Sequence, residues 1–252
     1  MSYVGKASAL YDAALSLIYP QECAACGSIV ESRADGVACA VCWQEARIFG
    51  EEDLLCWKCG VLAQGSVPVE KRPDVYCRRC DAEPFTAARA CGAYEGALRA
   101  SVLALKREPY VARRLARLLF ETGRREPLVS ATRIVPVPLH QERLRERGFN
   151  QAAILGHALA RLMKLPLDEC SLVRTLHTES HRAGMDERAR RESVLAAFQV
   201  LRPRLIENER ILLVDDVFTT GATVSACASA LKEAGAQDVF VLTVARPVGS
   251  SL

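Results

Sequence analysis

Arg210-Ile211-Leu212-Leu213-Val214-Asp215-Asp216-Val217-Phe218-Thr219-Thr220-Gly221-Ala222-Thr223 is the stretch that decides how this chain folds. Arg210 to Val214 is a nearly unbroken apolar run, the pattern of a strand covered on both faces. It ends in two carboxylates, Asp215 and Asp216. Val217 and Phe218 lead into a turn rich in Thr and Gly. Ala222 to Ala234 then reads as a helix, closed by Gly235. Backbone N–H groups at a helix start point outward with the positive end of the dipole, so the loop predicts an anion site suited to a phosphate. Gly221 lets the backbone approach closely, and the hydroxyls of Thr219, Thr220 and Thr223 add short donors. Asp215 and Asp216, one step earlier, are placed to accept hydrogen bonds from vicinal hydroxyls of a sugar. An ordinary helix N-cap needs one such residue. This loop uses two acids, three threonines and a glycine. It is not a Walker loop, because no Gly-Lys-Ser/Thr occurs in it.

Outward from the loop, strands and helices alternate. Ala97 to Leu105 and Val111 to Phe120 read as helices separated by Pro109. Thr132 to Pro138 reads as a short strand ending at the prolines, Asn150 to Met163 as an amphipathic helix, and Asp238 to Ala245 as a final strand. This order implies an α/β fold with a central, mostly parallel sheet, flanking helices and right-handed crossovers. Ligands of such sheets bind beyond the carboxyl ends of the strands. The composition changes near Asp81-Ala82-Glu83-Pro84-Phe85-Thr86, which places a boundary there: residues 1–85 form one unit and residues 86–252 the α/β domain.

The first unit holds the cysteines. Of eleven in the chain, eight form four Cys-x-x-Cys pairs: Cys23 and Cys26, Cys39 and Cys42, Cys56 and Cys59, Cys77 and Cys80. Two thiolates at this spacing reach one Zn²⁺ from a tight turn, and two such turns complete a tetrahedron. Gly27 and Gly60 follow the first and third pairs, where a positive φ is needed. Eight thiolates suffice for two closed Cys₄ sites, structural rather than catalytic. Sequential pairing gives a double zinc ribbon and interleaved pairing a cross-braced finger; the same order in each half favours the sequential form. Cys91, Cys170 and Cys227 lie among small or apolar residues and read as buried structural thiols.

The whole chain sets bounds. Its 252 residues fit one large domain or a small and a medium one, and its net charge of +3 calls for neither nucleic acid nor membrane by itself. No apolar run is long enough to span a bilayer. Ala9 to Pro20, broken by Asp12, reads as an amphipathic helix at the head of the first unit. It lacks the flanks of a secretion signal, which points to the cytoplasm, where thiols stay reduced.

These features together resemble a known family. The loop resembles the phosphoribosyl-diphosphate signature of type I phosphoribosyltransferases. The cysteine pairs come first, then Ala93-Tyr94-Glu95-Gly96, Leu105-Lys106, Val135-Pro136-Val137-Pro138-Leu139-His140 and Arg147-Gly148-Phe149-Asn150-Gln151-Ala152. That order is similar to the ComF/GntX family of competence-associated phosphoribosyltransferase-like proteins. The resemblance implies the type I phosphoribosyltransferase fold behind a zinc-binding module. It implies that Asp215 and Asp216 are the catalytic pair that contacts ribose hydroxyls and that Thr219 to Thr223 cradle a 5′-phosphate, with Val217 and Phe218 counted among the substrate-binding residues of the same loop. It also implies a link to the uptake or processing of transforming DNA. If the chain is an enzyme, phosphoribosyl transfer would displace diphosphate, with Mg²⁺ bridging the diphosphate oxygens, to an acceptor the sequence does not name. The rival readings are a non-catalytic sensor and a nucleic-acid-binding protein whose partners would be single-stranded DNA or DNA-uptake proteins. The chain departs from the family pattern at His181, where a Gln is common, and at Ser193, where an Asn is common.

Other charged residues have readings of their own. Arg143, Arg145 and Arg147 follow a strand end and could meet a diphosphate, or could be a solvated helix start beside Glu142 and Glu146. Arg147, inside Arg-Gly-Phe-Asn, is the one assigned to substrate binding. His177 to Arg191 reads as a lid or a surface loop. Lys106 and Arg107 cap a helix end and complement its dipole. Arg113 and Arg114 form a basic run that could bind phosphates.

Overall fold

The computed structural model describes residues 19–175 and 197–248. The expected helix over Ala9 to Pro20 falls almost wholly outside these residues. So do His177, His181 and Ser193.

The described residues open with two small cysteine turns of the same design. In the first, Cys23 N–H donates to Ser28 and Gly27 N–H to Cys23, and Glu22 bridges to Ile29. In the second, Cys56 N–H donates to Val61 and Gly60 N–H to Cys56, and Leu55 bridges to Leu62. Both glycines take positive φ, 80° at Gly27 and 67° at Gly60, as their positions require. A short helix, α1 (Ala40–Gln44), carries Cys42, the last cysteine of the first cluster.

The α/β region follows as β1 (Ala87–Ala93), α2 (Gly96–Leu105), α3 (Arg113–Gly123), β2 (Arg133–Pro136), α4 (Gln141–Arg147), α5 (Gln151–Met163), β3 (Leu172–Arg174), β4 (Phe198–Val200), β5 (Arg210–Val217), α6 (Ala222–Glu233) and β6 (Asp238–Arg246). The sheet runs in the order β1-β6-β5-β2 and every pairing in it is parallel. β3 and β4 form a separate antiparallel pair.

Both faces of the sheet are covered, so the middles of its two central strands, β5 and β6, are almost wholly apolar. Leu212 and Val214 of β5 and Leu242 and Val244 of β6 share one core with Leu119 of α3 and Leu155 and Leu159 of α5. Ile211, Leu213, Val239 and Val241 share the other with Val224, Ala228 and Leu231 of α6 and Phe198 of β4. Each fully buried Leu or Ile contributes about 1.5–3 kcal/mol relative to exposure. Asn150 caps α5, its side chain accepting from Ala152 N–H at 3.0 Å and donating to the Val137 carbonyl at 3.0 Å. The Arg147-Gly148-Phe149-Asn150 element thereby sits at the carboxyl end of β2, beside β5.

β1 is composed almost entirely of small residues, and its surroundings explain why. Residues 47–49, which join the two cysteine units, run along its outer edge: Phe49 N–H donates to Cys91, Ala93 N–H to Arg47, and Ile48 bridges Gly92. A Cβ on Gly92 would lie 2.3 Å from the Arg47 carbonyl oxygen. Beside the second cysteine turn, Ala88 N–H donates to Lys58 at 2.6 Å and a Cβ on Gly60 would lie 2.5 Å from the Ala88 oxygen. Buried Arg89 closes the seam, donating to the Trp57 carbonyl at 2.8 Å with its guanidinium over the indole. Burial draws that guanidinium down to about 10.

Two expectations change. The strand expected to end at Val214 continues through Val217, because Asp215 and Val217 stay in register with Thr243 and Ala245 of β6. Cys170, expected to be buried, is exposed. It lies in a turn where the Asp168 carboxylate accepts from both Cys170 and Ser171 N–H, which leaves the thiol facing outward. Cys91 and Cys227 are buried, and burial raises both thiols.

Candidate ribose-phosphate site and zinc ribbons

The cysteines gather in chain order: Cys23, Cys26, Cys39 and Cys42 in one cluster, Cys56, Cys59, Cys77 and Cys80 in the other, with the sulfurs of each within 4.8 Å of one another. Four thiolates around Zn²⁺ at bond lengths of about 2.3 Å have their sulfurs about 3.8 Å apart. Here Cys23 to Cys42 and Cys26 to Cys39 are both 3.7 Å, Cys56 to Cys80 is 3.6 Å, and Cys59 to Cys77 is 3.5 Å. The donor sets therefore fit two structural zinc ions, paired sequentially. Cys39 N–H points at Cys23 Sγ and Cys77 N–H at Cys56 Sγ, each at 3.3 Å, the donors that stabilise metal-bound thiolates.

The phosphate loop leaves the end of β5. Gly221 has φ +85° and its carbonyl accepts from Ser225 N–H at 2.8 Å, starting α6. Thr219, Thr220, Ala222 and Thr223 are exposed around the helix start. Its first-turn N–H groups have no intrahelical partners. Thr220 Oγ1 accepts from Ala222 N–H at 3.4 Å. Phe218 plays a different part from its neighbours. Its N–H donates to Ala245, its ring is buried against Phe85 at 6.0 Å, and its side chain therefore supports the loop from beneath. Val217 is half-buried and packs against the core on the opposite sheet face.

Asp215 and Asp216 behave differently from each other. Asp215 Oδ1 accepts from Asp216 N–H at 2.8 Å. Enclosure of its carboxyl, then the Asp216 charge beside it, push Asp215 well above the ordinary aspartate value. Asp216 is buried, and its Oδ2 accepts no hydrogen bond. Lys106 Nζ lies 3.6 Å from that oxygen. Lys106, read from sequence as a helix-end charge, thus faces the carboxylate pair; nothing in its local sequence shows this, because the partner lies on a distant strand.

The other basic residues divide. Arg147 donates to Gln151 across the turn at Gly148 (φ +81°), and Arg145 is exposed beside a cavity of about 470 Å³ that also includes His140 and Arg174. Arg114 is engaged by Asp35 at 3.1 Å and lies over Trp43, so it braces the first ribbon. A larger cavity of about 730 Å³ lies between the second ribbon and the loop, where Gln64 and Arg79 face Thr219 and Thr220.

Two cysteine tetrads followed by a parallel sheet with a Thr-Gly loop at a carboxyl end define a double zinc ribbon joined to a phosphoribosyltransferase-type domain. Comparison with known proteins agrees. Residues 14–95 match the double zinc ribbon domain model and residues 150–249 the phosphoribosyl transferase domain model. The DNA utilization protein YhgH of Escherichia coli O157:H7 is 32% identical over 216 residues, covering 82% of this chain and 89% of that one. Competence protein F of Haemophilus influenzae is 34% identical over 145 residues, covering 54% of this chain and 62% of that relative, less than two thirds of its length. A glutamine phosphoribosylpyrophosphate amidotransferase from B. subtilis is 20% identical over an alignment covering 59% of this chain and 26% of that one, with a TM-score of 0.37. The chain belongs to the ComF/GntX family. No helix among the described residues is long and apolar enough to cross a membrane.

Proposed function

We propose that this protein binds 5-phosphoribosyl 1-diphosphate at the loop 215–223 and transfers the phosphoribosyl group to an acceptor in the handling of DNA. One observation carries the reading: a buried carboxylate oxygen that accepts no hydrogen bond, Asp216 Oδ2, with Lys106 Nζ 3.6 Å away, stands beside a glycine-started helix with exposed threonines. The loop N–H groups and the Thr219, Thr220 and Thr223 hydroxyls would hold the 5′-phosphate. Asp215 and Asp216 would accept from the ribose hydroxyls, steadying positive charge at C1 as the diphosphate leaves. Lys106 and Arg147, from neighbouring elements at the same end of the sheet, would meet anionic oxygens. Mg²⁺ carried by the diphosphate would offset the charge of the leaving group.

The names of the relatives, DNA utilization protein and competence protein, support placing the reaction in DNA uptake, and reduced paired thiols favour the cytoplasm. A second reading makes the second ribbon a nucleic-acid surface, favoured by exposed Arg78 and Arg79 beside exposed Tyr76. Calorimetric titration of phosphoribosyl diphosphate with Mg²⁺ into the zinc-loaded protein tests the first reading. Saturable binding lost in Asp215→Asn/Asp216→Asn supports it. Absence of binding, with salt-dependent affinity for single-stranded DNA, supports the second.

A further inference from the structure

The phosphate loop is tied to the second ribbon, and one side chain makes the tie. Arg246, at the end of β6, donates its Nη1 to the carbonyl of Cys59 at 2.6 Å. The same guanidinium lies over the Phe218 ring, 5.1 Å from its centroid. Phe85, which follows the last cysteine of the second ribbon, meets that ring edge-on. Gly221 rests on it too, since a Cβ there would lie 2.9 Å from Phe218 Cζ. Ser225 of α6 is hydrogen-bonded to Glu83 in the same connecting segment. Phe218 is thus the floor of the loop, and its supports run back to the second ribbon.

The first ribbon has an anchor of the same chemistry that leads elsewhere. Arg114 pairs with Asp35 at 3.1 Å and lies 5.0 Å from the Trp43 ring centroid. It belongs to α3, and Leu115, Leu119 and Trp43 join the core on the sheet face opposite to Phe218.

We propose that Arg246 is a positioning residue that transmits the closed geometry of the second zinc ribbon to the phosphate loop through Phe218. The second ribbon is then a working part of the phosphate site, and the first ribbon is not. What the loop holds rests on the proposed function above; the mechanical link does not.

Amide hydrogen exchange of the peptide 217–224 in the zinc-loaded full chain reads the link without a ligand. Arg246→Gln is expected to speed exchange there about ten-fold, an opening easier by about 1.4 kcal/mol, with zinc content unchanged. Arg246→Lys, which keeps a cation over the ring and one donor, is expected to recover part of the protection. Arg114→Gln is expected to leave the peptide at the wild-type rate. Unchanged exchange in Arg246→Gln, or equal acceleration in Arg114→Gln, overturns the proposal. If Arg246→Gln loses its fold by circular dichroism, Arg246→Lys carries the test alone: exchange faster than wild type supports the proposal, and wild-type exchange overturns it. Titration of phosphoribosyl diphosphate separates the two ideas: an exchange pattern as expected in a wild-type protein that binds none supports the link and refutes the ligand.

Discussion

Replacing Gly221 with alanine should damage the protein in two separable ways. The residue has φ +85°, a conformation that costs an L-residue about 1–2 kcal/mol. The added Cβ would also lie 2.9 Å from Cζ of Phe218. That ring cannot swing aside, because Phe85 and Arg246 hold it. Overpacking of this kind costs about 1–3 kcal/mol. The sum is about 2–5 kcal/mol, or a fall in Tm of about 4–20 °C for a domain of this size. Gly148 supplies the control. It has φ +81° but open space where a Cβ would go, so Gly148→Ala should cost only the conformational part. Thermal unfolding of both variants, followed by calorimetry, measures the difference. Phe218→Leu made together with Gly221→Ala should return part of the excess. If Gly221→Ala costs no more than Gly148→Ala, the loop does not rest on Phe218 and the account of its floor is wrong.

Other expectations follow from the same geometry. Asp215→Asn/Asp216→Asn should abolish binding of phosphoribosyl diphosphate while keeping the fold and both zinc ions; undiminished affinity in the titration would remove these carboxylates from the site. Because the folded state raises Asp215 above its ordinary value of 3.8, its contribution is fully present below that pH and is lost as pH rises. Asp215→Asn should therefore gain stability relative to wild type as pH climbs from 4 toward neutrality, read by denaturant unfolding at several pH values; a constant difference would contradict the enclosure of this carboxyl. Metal analysis should find two zinc ions per chain, and Cys56→Ser should lose one of them while Cys170→Ser keeps both. In the zinc-loaded protein, Cys170 should be the one thiol that reacts quickly with Ellman's reagent, and chelation should add the eight ligand thiols while Cys91 and Cys227 stay slow; rapid reaction of either before unfolding would contradict their burial.

The run from Arg210 to Thr223 and the Cys-x-x-Cys register were enough to read the fold class and the metal clusters, because both are local. A two-sided apolar strand and a two-residue thiol spacing need no knowledge of distant neighbours. β1 was not legible. Ala87–Ala93 has none of the branched or aromatic residues that favour strands, and its smallness makes sense only beside the backbone of residues 47–49 that crosses it. The β3 and β4 pair was missed for a related reason: three residues each show no period, and the two strands stabilise each other across an intervening segment. The extension of β5 through its carboxylates came from β6 alone, since Asp is disfavoured in strands. Within the candidate site, the acids and threonines were visible as a motif. The supporting roles of Lys106 and Arg246 were not, because each acts on a residue far away in sequence.

The segment 47–49 along the outer edge of β1 also bears on how the chain must be made. A ribosome delivers the ribbons before it delivers β1, so these residues wait with unpaired N–H and C=O groups until their strand emerges. A shortened protein beginning near residue 86 would face the opposite difficulty. Its first strand would be a bare edge of alanine and glycine, open to pairing with other molecules, the situation from which aggregates grow. In the whole chain residues 47–49 keep that edge occupied, so the α/β domain is best expressed together with the ribbons.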